Sequence, residues 1–201
     1  TAHAVIDLND EDNQDRRFIL IQLPEIANNG KYRFISDLTK ERIRLSINKT
    51  KSKDNGQLEL LQNKIDLGFK VYTLQNTNFR AWADYTETDF RQLQNLFTQF
   101  ESTLIDGWKE QNVITEIILI EGFPLNSTQT PIANIERNKV IQIKHSQYEH
   151  KLYICLDVEI YEDTIDIVTQ FPKEDIFICL DSALTDEAKI TLADVCQIKT
   201  F

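Results

Sequence analysis

The chain has little with which to staple itself or span a membrane. It carries three cysteines in 201 residues. They fall at 155, 179 and 196 with no paired spacing, which argues against a disulfide framework and suits a reducing cytoplasm. No apolar run approaches the roughly 20 residues a helix needs to cross a bilayer, so no membrane contact is expected. The five glycines never fall into a complete dinucleotide fingerprint, and there is no Walker loop, G-x-S-x-G or H-E-x-x-H. His145, His150 and Cys155 are evenly spaced, but structural zinc sites use tighter paired spacing, so no metal site is assigned. Cys155 and Cys179 read instead as small buried hydrophobes on neighbouring strands.

What is present is an ordinary globular composition, 41% hydrophobic and 27% charged, with a formal net charge of -10. A chain this acidic is repelled by DNA as a whole. The charge is uneven, however. Residues 31 to 53 hold eight basic side chains against two acids, Asp37 and Glu41. That run reads either as a solvated helix face or as a surface facing phosphate.

The most informative stretch is Arg16-Arg17-Phe18-Ile19-Leu20-Ile21-Gln22-Leu23-Pro24-Glu25. Phe18 to Leu23 is almost unbroken in strand formers, which predicts a strand covered on both faces, as in a parallel sheet. Polar groups appear at its carboxyl end, where open α/β sheets bind ligands. The alternative is a buried strand that simply ends in a loop. Ahead of it, residues 1 to 8 read as a short helix, and Asn9 to Asp15 as a solvated acidic loop. Beyond it, Ser36 is a candidate cap for a helix through Thr39 to Ser46, and Asp54-Asn55-Gly56 marks a turn. Leu67 to Leu74 alternates as a strand. Phe79 and Trp82 are expected to anchor the following connector to this first domain.

Phe90, Leu93, Phe97, Phe100, Leu104 and Trp108 recur at steps of three and four, with Leu96 and Ile105 widening the stripe, which predicts a helix. Asn112 to Ile120 predicts another, closed by Gly122 with Pro124 beyond. Two strands, Lys139 to Lys144 and Lys151 to Leu156, flank a turn from His145 to His150. Tyr153-Ile154-Cys155-Leu156-Asp157 is then echoed by Phe177-Ile178-Cys179-Leu180-Asp181, with a helix expected from Glu162 to Phe171 between the copies. Strand, helix and matching strand make a βαβ unit. A helix from Asp186 to Cys196 and a strand from Ile198 to Phe201 complete the series. From Lys151 on, only four lysines oppose a larger set of acids, which makes this part a poor DNA surface.

The order T-A-H-A-V, R-R-F-I-L-I-Q-L-P-E, G-K-Y-R and T-K-E-R-I-R resembles adenine-specific DNA methyltransferases, the Mod subunit of type III restriction-modification systems. Gly68-Phe69-Lys70-Val71-Tyr72, Asn78-Phe79-Arg80-Ala81-Trp82 and Leu119 to Leu125 continue the resemblance in order along most of the chain. It implies an α/β protein. Residues 1–74 would be the carboxy-terminal part of a Rossmann-like, S-adenosylmethionine-dependent methyltransferase domain. Residues 75–121 would be a helical connector, and 122–201 a small acidic α/β subdomain. The Asp-Pro-Pro-Tyr motif of the family is absent from this sequence. The resemblance therefore implies a carboxy-terminal fragment, inactive alone, of an enzyme that methylates DNA adenine through its upstream region.

The same resemblance implies three cofactor-facing residues. Thr1 would sit at the edge of the glycine loop, near the methionine moiety. Gln22 falls where many related enzymes have a ribose-binding carboxylate, and an amide there lacks the charge that strengthens such bonds. Glu25 is the alternative carboxylate. Implied partners are DNA and the restriction subunit. A homodimer is expected separately, because the wide apolar stripe of the Phe90 to Trp108 helix, or the helix from Asn112 to Ile120, would otherwise be left in water. A competing reading is a non-enzymatic dimerisation or docking module that assembles Mod with the restriction subunit.

Overall fold

The computed structural model describes residues 1–28, 30–53, 67–80 and 103–201, and the chain divides into two compact units at Tyr72/Thr73. The first unit is built on two helices, α1 (Ala2–Asp12) and α2 (Ile35–Lys53). Ala2 and Ile6 meet Ile43 and Ile47 in a small core, against which Phe18, Leu67 and Phe69 pack.

α1 runs four residues past the expected Leu8, because its polar end has partners. Asn9, only 7% exposed, donates its side-chain amide to the Arg16 carbonyl at 2.9 Å and accepts from the Arg16 backbone N–H at 3.0 Å. The Arg16 guanidinium closes on Asp12 at 2.6 and 2.8 Å. The loop expected to be merely solvated thus ties the helix to the following segment. Asn13 ends the helix in the left-handed region at φ 56°, a conformation asparagine tolerates.

The helical reading of Thr39 to Ser46 holds within α2, but its cap is Asp37 rather than Ser36. The Asp37 carboxylate accepts from the Phe34 backbone N–H at 3.1 Å, the reach-back half of a capping box. The expected strand Phe18 to Leu23 is overturned. The segment is extended, but no ladder pairs it among the described residues. Ile19 is 88% and Ile21 92% exposed. The expected strand Leu67 to Leu74 is likewise outside any sheet, with Leu67 and Phe69 on the helices and Leu74 exposed. β-Propensity describes side chains that suit a pleated, half-buried surface and does not supply the neighbouring strand. The turn at Asp54–Gly56 and Trp82 lie outside the described residues.

The second unit is an α/β sandwich. Its five-stranded sheet runs β1 (Thr128–Pro131), β2 (Val140–Lys144), β3 (Leu152–Cys155), β4 (Ile176–Cys179) and β5 (Gln197–Thr200), in that spatial order. β1, β2 and β3 are antiparallel, whereas β3, β4 and β5 are parallel. The parallel strands are joined by α4 (Glu162–Val168) and α5 (Asp186–Val195), while α3 (Glu110–Ile120) precedes the sheet. The echoed runs are register partners: Tyr153 opposes Phe177 and Cys155 opposes Cys179.

Alternation along the strands sorts the core into two layers. Ile141, Ile143, Leu152, Ile154, Ile176 and Ile178 face α3 through Val113, Ile114, Ile117 and Ile118. Val140, Tyr153, Cys155, Phe177 and Cys179 face α4 and α5 through Val168, Ala188 and Leu192. Each such side chain contributes roughly 1.5–3 kcal/mol on burial, so the sheet is held from both sides.

α3 stops as the sequence predicts. Gly122 takes φ +77°, a region other residues rarely enter, and the Phe123 and Gly122 N–H groups donate to Ile118 and Leu119 at 2.9 and 3.1 Å. This is a Schellman stop with buried Phe123 folded back on the helix. The expected helix through Phe90 to Trp108 lies mostly outside the described residues. Its described end is not helical: Leu104 forms a bridge with Phe79, and Trp108 packs on the α3 layer outside any helix. Phe79 belongs to the second unit, with its ring edge-on to Phe201 at 5.0 Å.

Candidate functional site

The three cofactor-facing candidates all lie in the first unit, on exposed backbone. Thr1 precedes α1; its carbonyl accepts from Val5 N–H at 3.0 Å, and its hydroxyl makes no capping bond. Gln22 is at the carboxyl end of the bare apolar segment. Glu25 follows at the start of a loop closed by a bridge between Ile26 and Phe34, where its carbonyl accepts from Ile35 N–H at 3.0 Å. One cavity of this unit, about 20 Å³, is lined by residues that include Val5, Asn9, Arg16, Phe18 and Ile47, and by none of these three. That is room for a water, far below the roughly 300 Å³ of a small-molecule site. That cavity alone has no room for S-adenosylmethionine.

The basic run of α2 is partly neutralised within the helix. Lys40 meets Asp37 at 2.7 Å and Arg44 meets Glu41 at 3.5 Å. The Lys40 ammonium, followed by the Phe34 N–H, holds the Asp37 carboxyl below its ordinary value.

In the second unit the polar groups converge beyond the carboxyl ends of the parallel strands, where α/β sheets present ligand sites. Asn138, 5% exposed, is the hub. Its amide nitrogen donates to Asp157 at 2.9 Å and to the Glu159 carbonyl at 2.7 Å. Its oxygen accepts from the Tyr161 N–H at 3.0 Å and the buried Thr164 hydroxyl at 2.8 Å. Asp157 also accepts from the Lys139 N–H at 2.8 Å. Across the sheet, the Asp181 carboxyl is lowered by hydrogen bonds from Lys189 and then Thr200. Both echoed aspartates thus hold neighbouring groups of the fold through hydrogen bonds.

Glu116 of α3 does the same at the start of this unit. It accepts from the Thr77 hydroxyl, and from the Asn78 N–H and side-chain amide at 2.7 Å each. Burial raises its carboxyl, but these three donors together outweigh burial and leave it below the ordinary value. Sequence reading missed both Asn138 and Glu116. A lone polar residue before an apolar strand, or on a helix, carries no signal of its distant partners.

His145, His150 and Cys155 do not converge. His150 sets its ring edge against Phe123 and Tyr148 at 5.3 and 5.6 Å, while Cys155 faces the opposite layer. Among the described residues, no three His, Cys, Asp or Glu side chains are placed to hold a metal, and no helix is long and apolar enough to cross a membrane. No family model, curated protein or solved structure matches this chain.

Proposed function

We propose that the chain is part of an adenine-specific DNA methyltransferase, the Mod subunit of a type III restriction-modification system. Residues 1–74 would then belong to a Rossmann-like cofactor domain. The observation that carries this reading is the bare apolar segment. Phe18 rests on the α1 and α2 core, while Ile19, Ile21 and Leu23, on the opposite side of the extended chain, stand 88%, 92% and 68% exposed. Helices on one side and strand formers with an uncovered second side suit the margin of a larger sheet. The collinear motifs supply the kind of sheet. Gln22 and Glu25 sit at the carboxyl end of that segment, where a ribose would meet them, and Thr1 would lie by the methionine moiety.

S-adenosylmethionine is the methyl donor in this reading and supplies an electrophilic sulfonium methyl group. The acceptors that hold the adenine amino group come from the Asp-Pro-Pro-Tyr motif, which this sequence lacks. The isolated chain should therefore transfer no labelled methyl group to mixed-sequence DNA, and should bind the donor more weakly than about 1 mM, or ~4 kcal/mol. In a polypeptide that includes the glycine loop and the motif, replacing Gln22 and Glu25 together by alanine should weaken donor affinity about tenfold by calorimetry. Specific adenine methylation by this chain alone would overturn the division of labour. Unchanged affinity in the double variant would remove both residues from the site.

A second reading, an assembly module for Mod and the restriction subunit, rests on the second unit. Glu116, Asp157 and Asp181 are engaged in internal hydrogen bonds, and the unit carries 21 acids against 10 bases, a net of -11. Calorimetric binding of the isolated chain to the restriction subunit would support it, and no heat at high micromolar concentration would remove it.

A further inference from the structure

Thr130, Gln142 and Tyr153 form one row across β1, β2 and β3, with Thr130 opposite Gln142 and Gln142 opposite Tyr153. Residues directly opposite each other share a face of the sheet, and Tyr153 faces the α4 and α5 layer, so the row lies on that face. At its inner end Tyr153 is 3% exposed and stacks on Phe171, just past α4, with ring centroids 4.0 Å apart and planes at 22°. Towards β1 the face opens into a cleft of about 300 Å³, lined by Thr130, Pro131, Ile132, Gln142, Tyr153 and Phe171. That volume is at the lower end of small-molecule sites and suits one compact ligand rather than a peptide.

The chemistry of the lining is one-sided. Gln142 Nε2 donates to the Tyr153 hydroxyl at 3.2 Å, which leaves Gln142 Oε1 without a hydrogen bond among the described residues. No basic side chain among them lines the cleft. Asp175, 2% exposed, stands behind it. It lies two residues before Phe177, the register partner of Tyr153, and so shares the face of that pair. Its Oδ1 accepts from the Lys151 N–H at 2.8 Å, whereas the buried Oδ2 has no hydrogen-bond partner among the described residues. Burial first, and then the Asp175 charge, push the Tyr153 phenol up to about 12, so it stays neutral. The cleft thus offers an amide acceptor and an aromatic ring, with a buried carboxylate behind them.

We propose that this cleft binds a small organic cation with a planar amidinium or guanidinium head, held by Gln142 Oε1 and by the ring of Phe171. An anion would meet the Asp175 charge and find no basic partner, and a purely apolar molecule would leave Gln142 Oε1 without a donor. A cation gains from the carboxylate, whose field is less screened in the protein than in water, and from the face of the aromatic ring. The proposal does not depend on the methyltransferase reading.

The test is titration of the whole chain with benzamidinium, followed by calorimetry and by backbone amide shifts, beside its neutral counterpart of the same shape, benzamide. Benzamidinium should bind with a Kd of about 1 mM or tighter, and benzamide at least about fivefold more weakly. The shifts should centre on Thr130, Gln142, Tyr153 and Phe171. Gln142→Leu should weaken benzamidinium binding at least about fivefold. Asp175→Asn keeps an acceptor for the Lys151 N–H but removes the charge, so it should bring the two ligands close to equal affinity, a change that a merely structural role would not produce. Circular dichroism would verify folding, and Gln142, half-buried at the cleft, keeps the test open should the Asp175 variant fail to fold. Equal binding of benzamidinium and benzamide by the wild type overturns the proposal. So do shifts scattered over the acidic surface, no binding at 20-fold the expected Kd, or a folded Gln142→Leu that binds like wild type.

Discussion

Cys155 on β3 lies directly opposite Cys179 on β4, and neither thiol has any solvent exposure. The pairing places the matching halves of two echoed runs side by side at the centre of a parallel sheet. Burial is the first cause of their chemistry, pushing both thiols up to about 12.

The thiols should therefore be silent in the folded protein. At pH 8 an aromatic disulfide reagent should label none of the three cysteines, all of which are buried and free, and should label all three in denaturant. Because the folded-state values are raised, the thiols' contribution to stability is whole below the ordinary value of 9.0 and is lost as pH rises from there towards about 12. Rapid labelling of native protein at pH 8 would show that the α4 and α5 layer opens readily.

Replacing Asn138 by alanine should cost at least ~2 kcal/mol in urea denaturation, since it leaves the Thr164 hydroxyl, the Tyr161 N–H and Asp157 short of partners. Thr164→Val removes a single donor and keeps the shape, so its cost should stay within about 1 kcal/mol. Equal losses in the two variants would mean that Asn138 is not the hub.

Glu116→Gln should destabilise the second unit by about 1–3 kcal/mol at neutral pH, because a carboxylate holding three donors is replaced by an amide. Its folded-state value is lowered, so the wild-type advantage is present above the ordinary value of 4.5 and lost as pH falls through the lowered one. Thermal melts of both proteins between pH 7 and 3 should converge on the acid side. A gap in melting temperature that does not narrow would assign the effect to packing.

Ile19→Lys with Ile21→Lys should change the stability of this chain by no more than about 0.5 kcal/mol, because both side chains stand in solvent. Ile143→Ala, at a site with no exposure, should cost about 2–5 kcal/mol. A large loss in the double lysine variant would show that the bare segment is covered in solution.

The sequence by itself determined the elements whose pattern is local or repeated. The βαβ unit from Leu152 to Cys179 was legible because two apolar runs of equal length, separated by a helical stretch, have few ways to bury both faces. The stop at Gly122 was legible because a left-handed residue after an apolar helix is a local requirement. β1 was not legible, since Thr128 to Pro131 is exposed throughout and owes its place to hydrogen bonds with β2. Phe18 to Leu23 has the composition of a buried strand, yet a strand exists only where a neighbour supplies its ladder and a second layer its cover. Thr1, Gln22 and Glu25 could be named from motif order and strand-end chemistry, but whether they converge is a three-dimensional property, and in this chain they lie on open surface. Asn138, Glu116 and the Asn9 clamp on Arg16 were decided by tertiary structure alone, because each bonds groups that only the folded chain brings within reach.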